Sequence, residues 1–367
     1  MKQKLYSITI GVIVAIAAAL SFSVLAVAAS TPSAAEWEKT VAAAKKEGNV
    51  VVSGPNGVEA RDALTDGFQK RYPGIRVDYE GSSTREFATR LATERKAGQF
   101  LWDVFIHGAP ETMVHMAVFD PLEPALLLPD VKNPKAWRGG AIEFYDLGKT
   151  IMVMTPYQQG TICYNTKLVN AKEFKSYKDL LDPKWKGKIV ADDPRKSGPG
   201  QSTFLFFYLH PELGPDFIRA LAKQQLTFYL NSSQEVDVVG QGKFPVLLGG
   251  SDMTANSAMK KGVPIAIVDP TELKEGTNVN PSNGDIALFN RAPHPNAAKV
   301  YINWLLSKEG QTAFVRAGGY VSARLDVPTD HVPAWRVPQP GAIKTYTKEA
   351  IKMKEELLPF ITEIFGK

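Results

Sequence analysis

The feature that most constrains the fold is a regular alternation of short apolar strands with helical segments. In the first third of the chain the predicted strands are residues 50–52, 75–79 and 103–106, separated by predicted helices at residues 60–72 and 85–97. The alternation returns in the middle of the chain, with predicted strands at residues 161–164, 189–191, 246–248 and 265–268. Strands that alternate with helices of this length are typical of an α/β fold with a mostly parallel sheet. A chain of 367 residues is long enough for two such domains.

Small polar residues follow three successive strands of the first segment. They are Ser53 and Gly54, Ser82 and Ser83, and His107 with its following glycine. In open α/β sheets, ligands bind at the carboxyl ends of the strands, so these residues predict one side of a binding site. The competing interpretation is that serine and glycine only begin the helices that follow. The sequence leaves both interpretations open.

A loop of small residues opens a predicted helix in the second half of the chain. It contains Ser197, Gly198, Gly200 and Ser202, and Arg195 precedes it. The first N–H groups of a helix have no partner within the helix, and they attract anions. A nearby arginine would add a full positive charge. The loop therefore predicts an anion site, with an ordinary capped helix as the alternative.

The amino terminus has the pattern of a secretory signal. Two lysines precede an apolar stretch at residues 8–20, and Ala26 and Ala28 mark a cleavage site. We expect residues 1–28 to be removed as a signal peptide and the mature protein to be periplasmic. The alternative is an uncleaved anchor, since the stretch approaches the roughly 20 residues that span a bilayer. Cys163 is the only cysteine, so no intramolecular disulfide can form, and we interpret it as a buried structural thiol.

Charge and motifs argue against several function classes. The formal net charge is +5, but the basic residues are dispersed, which argues against nucleic-acid binding. The sequence has no H-E-x-x-H, Walker A or C-x-x-C motif, and its five histidines lack metal-ligand spacing. Residues 257–260 match the S-x-x-K pattern of serine acyl enzymes without the partner motifs of that class. We therefore expect no enzyme activity, no cofactor and no bound metal ion.

Short motifs in a fixed order give the chain a resemblance to a known family. They are FQKRYPGI at residues 68–75, ERKAG at 94–98, YNTK at 164–167, DLLDPKWKGKI at 179–189, APHPNAA at 292–298 and WLLSKEGQ at 304–311. With these motifs the chain resembles the family 1 extracellular solute-binding proteins, in the branch that includes the ferric-iron-binding proteins. Members deliver a small-molecule solute to an ABC permease in the inner membrane. The resemblance implies such a role here, for a monomer.

The resemblance also implies a domain organisation. Its fold is α/β, of the periplasmic-binding-protein-like type II, with two α/β lobes joined by a multi-crossing hinge and a ligand cleft between them. We expect lobe 1 to hold residues 36–157 and 270–330, and lobe 2 to hold residues 160–266 and 335–367. The first hinge crossing should fall near residues 157–160, and the return near residues 269–284.

The iron ligands of the family do not carry over to this chain. The family's adjacent tyrosine pair falls at Asp252 and Met253, and no two tyrosines are adjacent anywhere in the sequence. The family's histidine and carboxylate fall at about Gly57 and Gly108. A ferric-iron-binding protein with atypical ligands stays as an alternative, as does a periplasmic sensor subunit of the same fold.

The family's anion-binding residues do carry over, to Ser197, Gly198 and Asn231. A site that keeps the anion loop without the metal should bind an anionic organic solute, such as a phosphonate, a sugar phosphate or a carboxylate. We expect Tyr157, Ser251 and Asp252 to complete the enclosure. Asp252 would pair with an ammonium or hydroxyl group of the solute.

Overall fold

The computed structural model describes residues 34–108, 111–281 and 284–366. The predicted signal peptide lies outside these residues. No helix in the described ranges is long and apolar enough to span a membrane.

The described chain alternates strands and helices as the sequence predicts. The strands are β1 (Asn49–Gly54), β2 (Arg76–Gly81), β3 (Val104–His107), β4 (Phe119–Asp120), β5 (Ile151–Met152), β6 (Tyr157–Gln158), β7 (Ile162–Asn165), β8 (Ile189–Asp192), β9 (Thr227–Tyr229), β10 (Val246–Leu248), β11 (Ile265–Ile267), β12 (Asn278–Asn280), β13 (Asp285–Phe289) and β14 (Ile343–Lys344). The helices are α1 (Ala34–Glu47), α2 (Val58–Arg71), α3 (Thr84–Lys96), α4 (Glu111–His115), α5 (Pro129–Lys132), α6 (Pro199–Leu209), α7 (Gly214–Ala222), α8 (Ser232–Gly240), α9 (Asp252–Lys260), α10 (Pro295–Leu305), α11 (Lys308–Gly318) and α12 (Lys348–Phe365).

The first lobe is built on a six-stranded sheet. Its order is β2-β1-β3-β13-β4, with β5 also paired to β13. Successive residues of β13 point to opposite faces, as strand geometry requires: Ile286 and Leu288 belong to one buried cluster, and Ala287 and Phe289 to another. Both faces are therefore covered, one by α2 and α10 and the other by aromatic side chains around Phe105.

The prediction of a mostly parallel sheet is only partly right. Strands β1, β2 and β3 are parallel, but β13 is antiparallel to β3, β4 and β5. The reason is the route of the chain. The return from β12 reaches this sheet at the carboxyl end of β3, where Asp285 pairs with His107. The strand must then run back along β3, with no crossover helix that could make it parallel.

The second lobe is built on a five-stranded sheet of order β11-β7-β10-β8-β9. Strands β8, β9 and β10 are parallel, and β7 is antiparallel to both of its neighbours. Helix α6 is buried on most of its surface, and the side chains of Phe204, Phe206 and Phe207 are all fully buried. The terminal helix α12 adds Leu357 and Ile361 to the same core.

A third, three-stranded sheet lies where the chain passes between the two larger sheets. Its order is β14-β12-β6. The amide of Gln159 organises its polar interior: the Gln159 Oε1 accepts from Asn278 Nδ2 at 3.0 Å and from Asn280 Nδ2 at 2.7 Å. The Nε2 of Gln159 donates to the carbonyl oxygen of Pro199 and to Thr203 Oγ1, both at 3.2 Å. Gln159 thus connects this short sheet to the first turn of α6.

The predicted two-lobed α/β fold is confirmed.

Candidate functional site

Two of the predicted site residues, Ser53 and His107, form a hydrogen bond with each other. The Ser53 Oγ lies 2.8 Å from the His107 Nε2, and both residues are buried. The His107 ring stacks on Phe87, with 5.5 Å between ring centroids. Burial lowers the pKa of His107 to about 3. The imidazole is therefore neutral at physiological pH and offers no positive charge to a ligand.

The residues at the ends of β1 and β2 differ in whether their polar groups already have hydrogen-bond partners. A Cβ at Gly54 would stand 2.5 Å from the Tyr79 hydroxyl oxygen, so only glycine lets this phenol donate to the carbonyl of Pro55. Ser83 caps α3 in a reciprocal capping box with Glu86. The hydroxyl of Ser82 is buried and has no hydrogen-bond partner in the described part of the chain. Among the predicted site residues at these three strand ends, Ser82 thus has a hydroxyl that can donate a hydrogen bond to a ligand.

The chain's own carboxylate binds one N–H group at the start of α6, contrary to the expectation that these groups are free. Pro199 has no N–H, and the N–H of Gly200 donates to Asp192 Oδ1 at 2.8 Å. A Cβ at Gly200 would stand 2.6 Å from the same oxygen, so the aspartate packs directly against the helix start. The reason is proximity, because β8 ends at Asp192 directly beneath this helix.

Arg195 does not add a free charge to this loop, which corrects a second expectation. Its Nε and Nη2 donate to the two carboxylate oxygens of Asp193 at 2.7 and 2.8 Å, and its Nη1 donates to the Gly366 carbonyl. Asn231 is also engaged: its Oδ1 accepts from the N–H groups of Ser233 and Gln234 and so caps α8. Ser197 is exposed, while Gly198 and Ser202 are partly buried.

Asp192 has a second carboxyl beside it. Glu235, in the first turns of α8, is fully buried. Burial, together with the negative charge of Asp192, raises the pKa of Glu235, and burial raises the pKa of Asp192. Two adjacent buried carboxyls do not both ionise readily, so the pair retains a proton into the neutral range.

Asp252 forms a buried ion pair that the sequence did not predict. Its Oδ2 lies 3.2 Å from Arg336 Nη1 and accepts from the Gly160 N–H at 3.1 Å, and its Oδ1 lies 3.3 Å from Arg336 Nη2. The two side chains are only 2% and 3% exposed. The carboxylate that we expected to meet the solute is thus committed to an arginine. Ser251, also predicted to face the solute, caps α9 by accepting from the Thr254 N–H.

Arg336 reaches this position from a proline-rich segment that precedes β14. Its guanidinium lies 4.7 Å from the centroid of the Tyr157 ring, and its Nε has no hydrogen-bond partner within the described residues. The neighbouring Trp335 packs so closely on Gly160 that a Cβ there would stand 3.1 Å from the indole. No periodic pattern marks this segment. The only signal is a lone Trp-Arg pair among prolines.

Tyr157 and Tyr320 lie near the arginine, and Tyr79 lies near Tyr320. Tyr320 lies close enough to Tyr79 and to Tyr157 that it raises the pKa of both phenols, although burial is the largest cause. Burial also raises the pKa of Tyr320, and Arg336 opposes that rise. All three phenols therefore remain protonated and can donate hydrogen bonds. In the described ranges, no group of three or more His, Cys, Asp or Glu side chains is placed to hold a metal ion.

Comparison with known proteins agrees with this architecture. The substrate-binding protein of an ABC transporter from Agrobacterium tumefaciens has a TM-score of 0.62 at 20% identity, over 88% of this chain and 97% of that chain. The periplasmic binding protein AfuA from Actinobacillus pleuropneumoniae, with exogenous fructose-6-phosphate bound, has a TM-score of 0.60 at 16% identity, over 86% of this chain and 98% of that chain. These similarities establish the fold.

A curated relative and a family model extend the comparison to sequence. Iron uptake protein A1 of Synechocystis sp. is 26% identical over 173 residues, which are 43% of this chain and 46% of that protein. The match thus spans less than half of the relative's length. The family model described as bacterial extracellular solute-binding protein matches residues 63–339. Because that match takes in most of the chain, the protein belongs to the bacterial extracellular solute-binding proteins.

Proposed function

We propose that this protein is the periplasmic component of an ABC importer and delivers a small anionic organic solute to an inner-membrane permease. The observation that carries the proposal is the buried guanidinium of Arg336, whose Nε–H has no partner. Arginine has five N–H donors in a planar fork, and the Asp252 contacts use two of its nitrogens. A buried donor without an acceptor costs free energy, so an acidic group of the solute would satisfy it.

The position of Arg336 supports a site between the lobes. Asp252 stands at the start of α9, directly after β10 of the second lobe. Tyr157 belongs to the short third sheet, and Tyr320 packs in the core of the first lobe. A ligand at Arg336 would therefore touch both lobes and the short sheet. We propose that the short sheet is the hinge, with the lobe boundaries given by the sequence, and that Ser82 adds a hydroxyl donor.

A ferric-iron carrier is the second candidate, favoured by the cluster of Tyr79, Tyr157 and Tyr320 and by the iron-uptake name of the curated relative. Iron would require the phenols to lose their protons, against the effect of burial. An absorption band in the visible region on addition of ferric citrate would support iron binding. We place the organic anion first because the buried Nε–H of Arg336 has no partner, whereas burial keeps the phenols protonated.

The test is a thermal-shift screen followed by calorimetry. Gluconate, succinate, glucose 6-phosphate and inorganic phosphate are compared with neutral glucose, since a bound ligand raises the melting temperature. We expect at least one of the anionic compounds to bind and glucose not to bind. Hydrogen bonds to charged groups contribute about 1.5–3 kcal/mol. Arg336→Gln should therefore weaken binding of the best anion by about ten- to a hundredfold.

Arg219→Gln is the matched control, because Arg219 is an exposed arginine on α7. It should leave the affinity unchanged. Equal affinity in wild type and Arg336→Gln would overturn the proposal. Ser197→Ala distinguishes the two possible positions of the acidic group: a large loss of affinity there would return the group to the start of α6, as predicted from the sequence.

A further inference from the structure

We propose that Asp192 keeps phosphate groups away from the start of α6, so that the acidic group of the solute is a carboxylate with a single negative charge, held at Arg336, and not a phosphate ester. The proposal rests on the proposed function and names its substrate class. Its basis is that the chain's own carboxylate fills the position at the start of α6 that an external anion would need.

The geometry at the start of α6 disfavours a bound phosphate. A phosphate at a helix start is held by the backbone N–H groups of the first turn. Here the N–H of Gly200 is bonded to Asp192 Oδ1 at 2.8 Å, and residue 199 is a proline. A Cβ at Gly198 or Gly200 would stand 3.2 or 2.6 Å from the same Asp192 oxygen. The Asp192 carboxylate therefore already takes the place beside the Gly200 N–H that a phosphate oxygen would need.

The charge around the start of α6 also disfavours a bound phosphate. The charged groups around the start of α6 are Asp192 and Glu235, which are buried together, and Asp193, which pairs with Arg195. Lys196 is exposed. The ion pair is neutral as a unit, so the ionised carboxyl of the buried pair sets the local charge. A phosphate dianion at this helix start would face that like charge in a partly buried environment, where repulsion is strong.

The ion pair of Arg336 favours a carboxylate over a phosphate. Its charge is already balanced by Asp252 at 3.2 Å, so the pair brings hydrogen-bond donors but no excess positive charge. A carboxylate has one negative charge and a planar shape that matches the remaining edge of a guanidinium. A phosphate monoester near neutral pH carries close to two negative charges, and neither the Arg336–Asp252 pair nor the Arg195–Asp193 pair has a free positive charge to balance them.

The experiment compares inorganic phosphate binding by calorimetry in wild type and in an Asp192→Ala/Glu235→Gln variant. The first substitution frees the Gly200 N–H and the second prevents a buried, unpaired carboxylate. We expect the variant to bind inorganic phosphate at least about tenfold more tightly than wild type. Asp216→Ala, which removes an exposed aspartate of α7, is the charge-matched control and should show no gain.

A second variant keeps the proposal testable if the first does not fold, as judged by circular dichroism. Asp192→Asn/Glu235→Gln removes the charge but keeps an acceptor for Gly200, so the expected gain is smaller but present. A folded variant that binds inorganic phosphate no more tightly than wild type would overturn the inference. Gluconate and glucose 6-phosphate, which share a carbon skeleton, give the matching ligand test: wild type should prefer gluconate. Failure of Arg336→Gln to weaken gluconate binding would overturn the proposed function and its placement of the carboxylate at Arg336, but not the exclusion of phosphate by Asp192.

Discussion

The buried pair of Asp252 and Arg336 allows a prediction that tests the described site without any ligand. The two side chains are 2% and 3% exposed, and the carboxylate accepts one further bond from Gly160. Removing one partner of a buried ion pair costs about 3–5 kcal/mol, because the other charge stays buried and unpaired. We expect Asp252→Asn and Arg336→Gln each to lower the free energy of unfolding by about that amount.

The double variant should cost much less than the sum of the single variants. With both charges removed, no unpaired ion remains, and such replacements are often close to neutral. The coupling in a double-mutant cycle should therefore reach about 2 kcal/mol or more. Urea denaturation followed by circular dichroism measures all four proteins. Additive effects of the two substitutions would refute the argument that the residues form a desolvated pair.

The two single variants should also differ in their dependence on pH. Burial raises the pKa of Asp252, and Arg336 opposes the rise. In Arg336→Gln the positive charge that lowers the pKa of Asp252 is absent, so the folded-state pKa of Asp252 rises further above its unfolded-state pKa. Stability is then retained at low pH and lost as the pH rises through the folded-state pKa. Arg336→Gln should therefore be less damaging at about pH 5 than at about pH 8, whereas Asp252→Asn should lack this added dependence.

Three further predictions concern other buried groups. Burial and the charge of Asp192 raise the pKa of Glu235 in the folded protein, so ionisation of Glu235 costs stability as the pH rises. Glu235→Gln should therefore raise the melting temperature at alkaline pH and have little effect below the pKa of a free glutamate. A pH-independent effect in thermal melts would contradict this. The Asn303 side chain is fully buried, and its Oδ1 accepts hydrogen bonds from the N–H groups of Leu127 and Leu128. Asn303→Ala should therefore lower the free energy of unfolding, measured by urea denaturation, by about 2 kcal/mol or more. An unchanged free energy of unfolding would mean that water replaces the amide. Burial raises the pKa of Cys163 to about 12, so a thiol reagent at neutral pH should label the native protein only after unfolding, and rapid labelling of the native protein would contradict that burial.

Local patterns in the sequence determined the elements of this fold. Runs of apolar residues bounded by glycine, serine and proline predicted strands where β1, β2, β3, β8 and β10 lie. Such patterns depend on neighbouring residues, because alternate side chains must be buried along each strand and helix. Short motifs in a fixed order were enough to predict the family, which the match over residues 63–339 supports.

Partner choice in the candidate site was decided only by tertiary structure. Asp252 and Arg336 are 84 residues apart in sequence, and Ser53 and His107 are 54 apart, so no local pattern joins them. Serine, aspartate and arginine at a strand end can serve a ligand or one another, and the packing of the chain selects between these uses. The start of α6 is the clearest example, because the same small residues that predict a free anion site also let Asp192 approach closely enough to fill it.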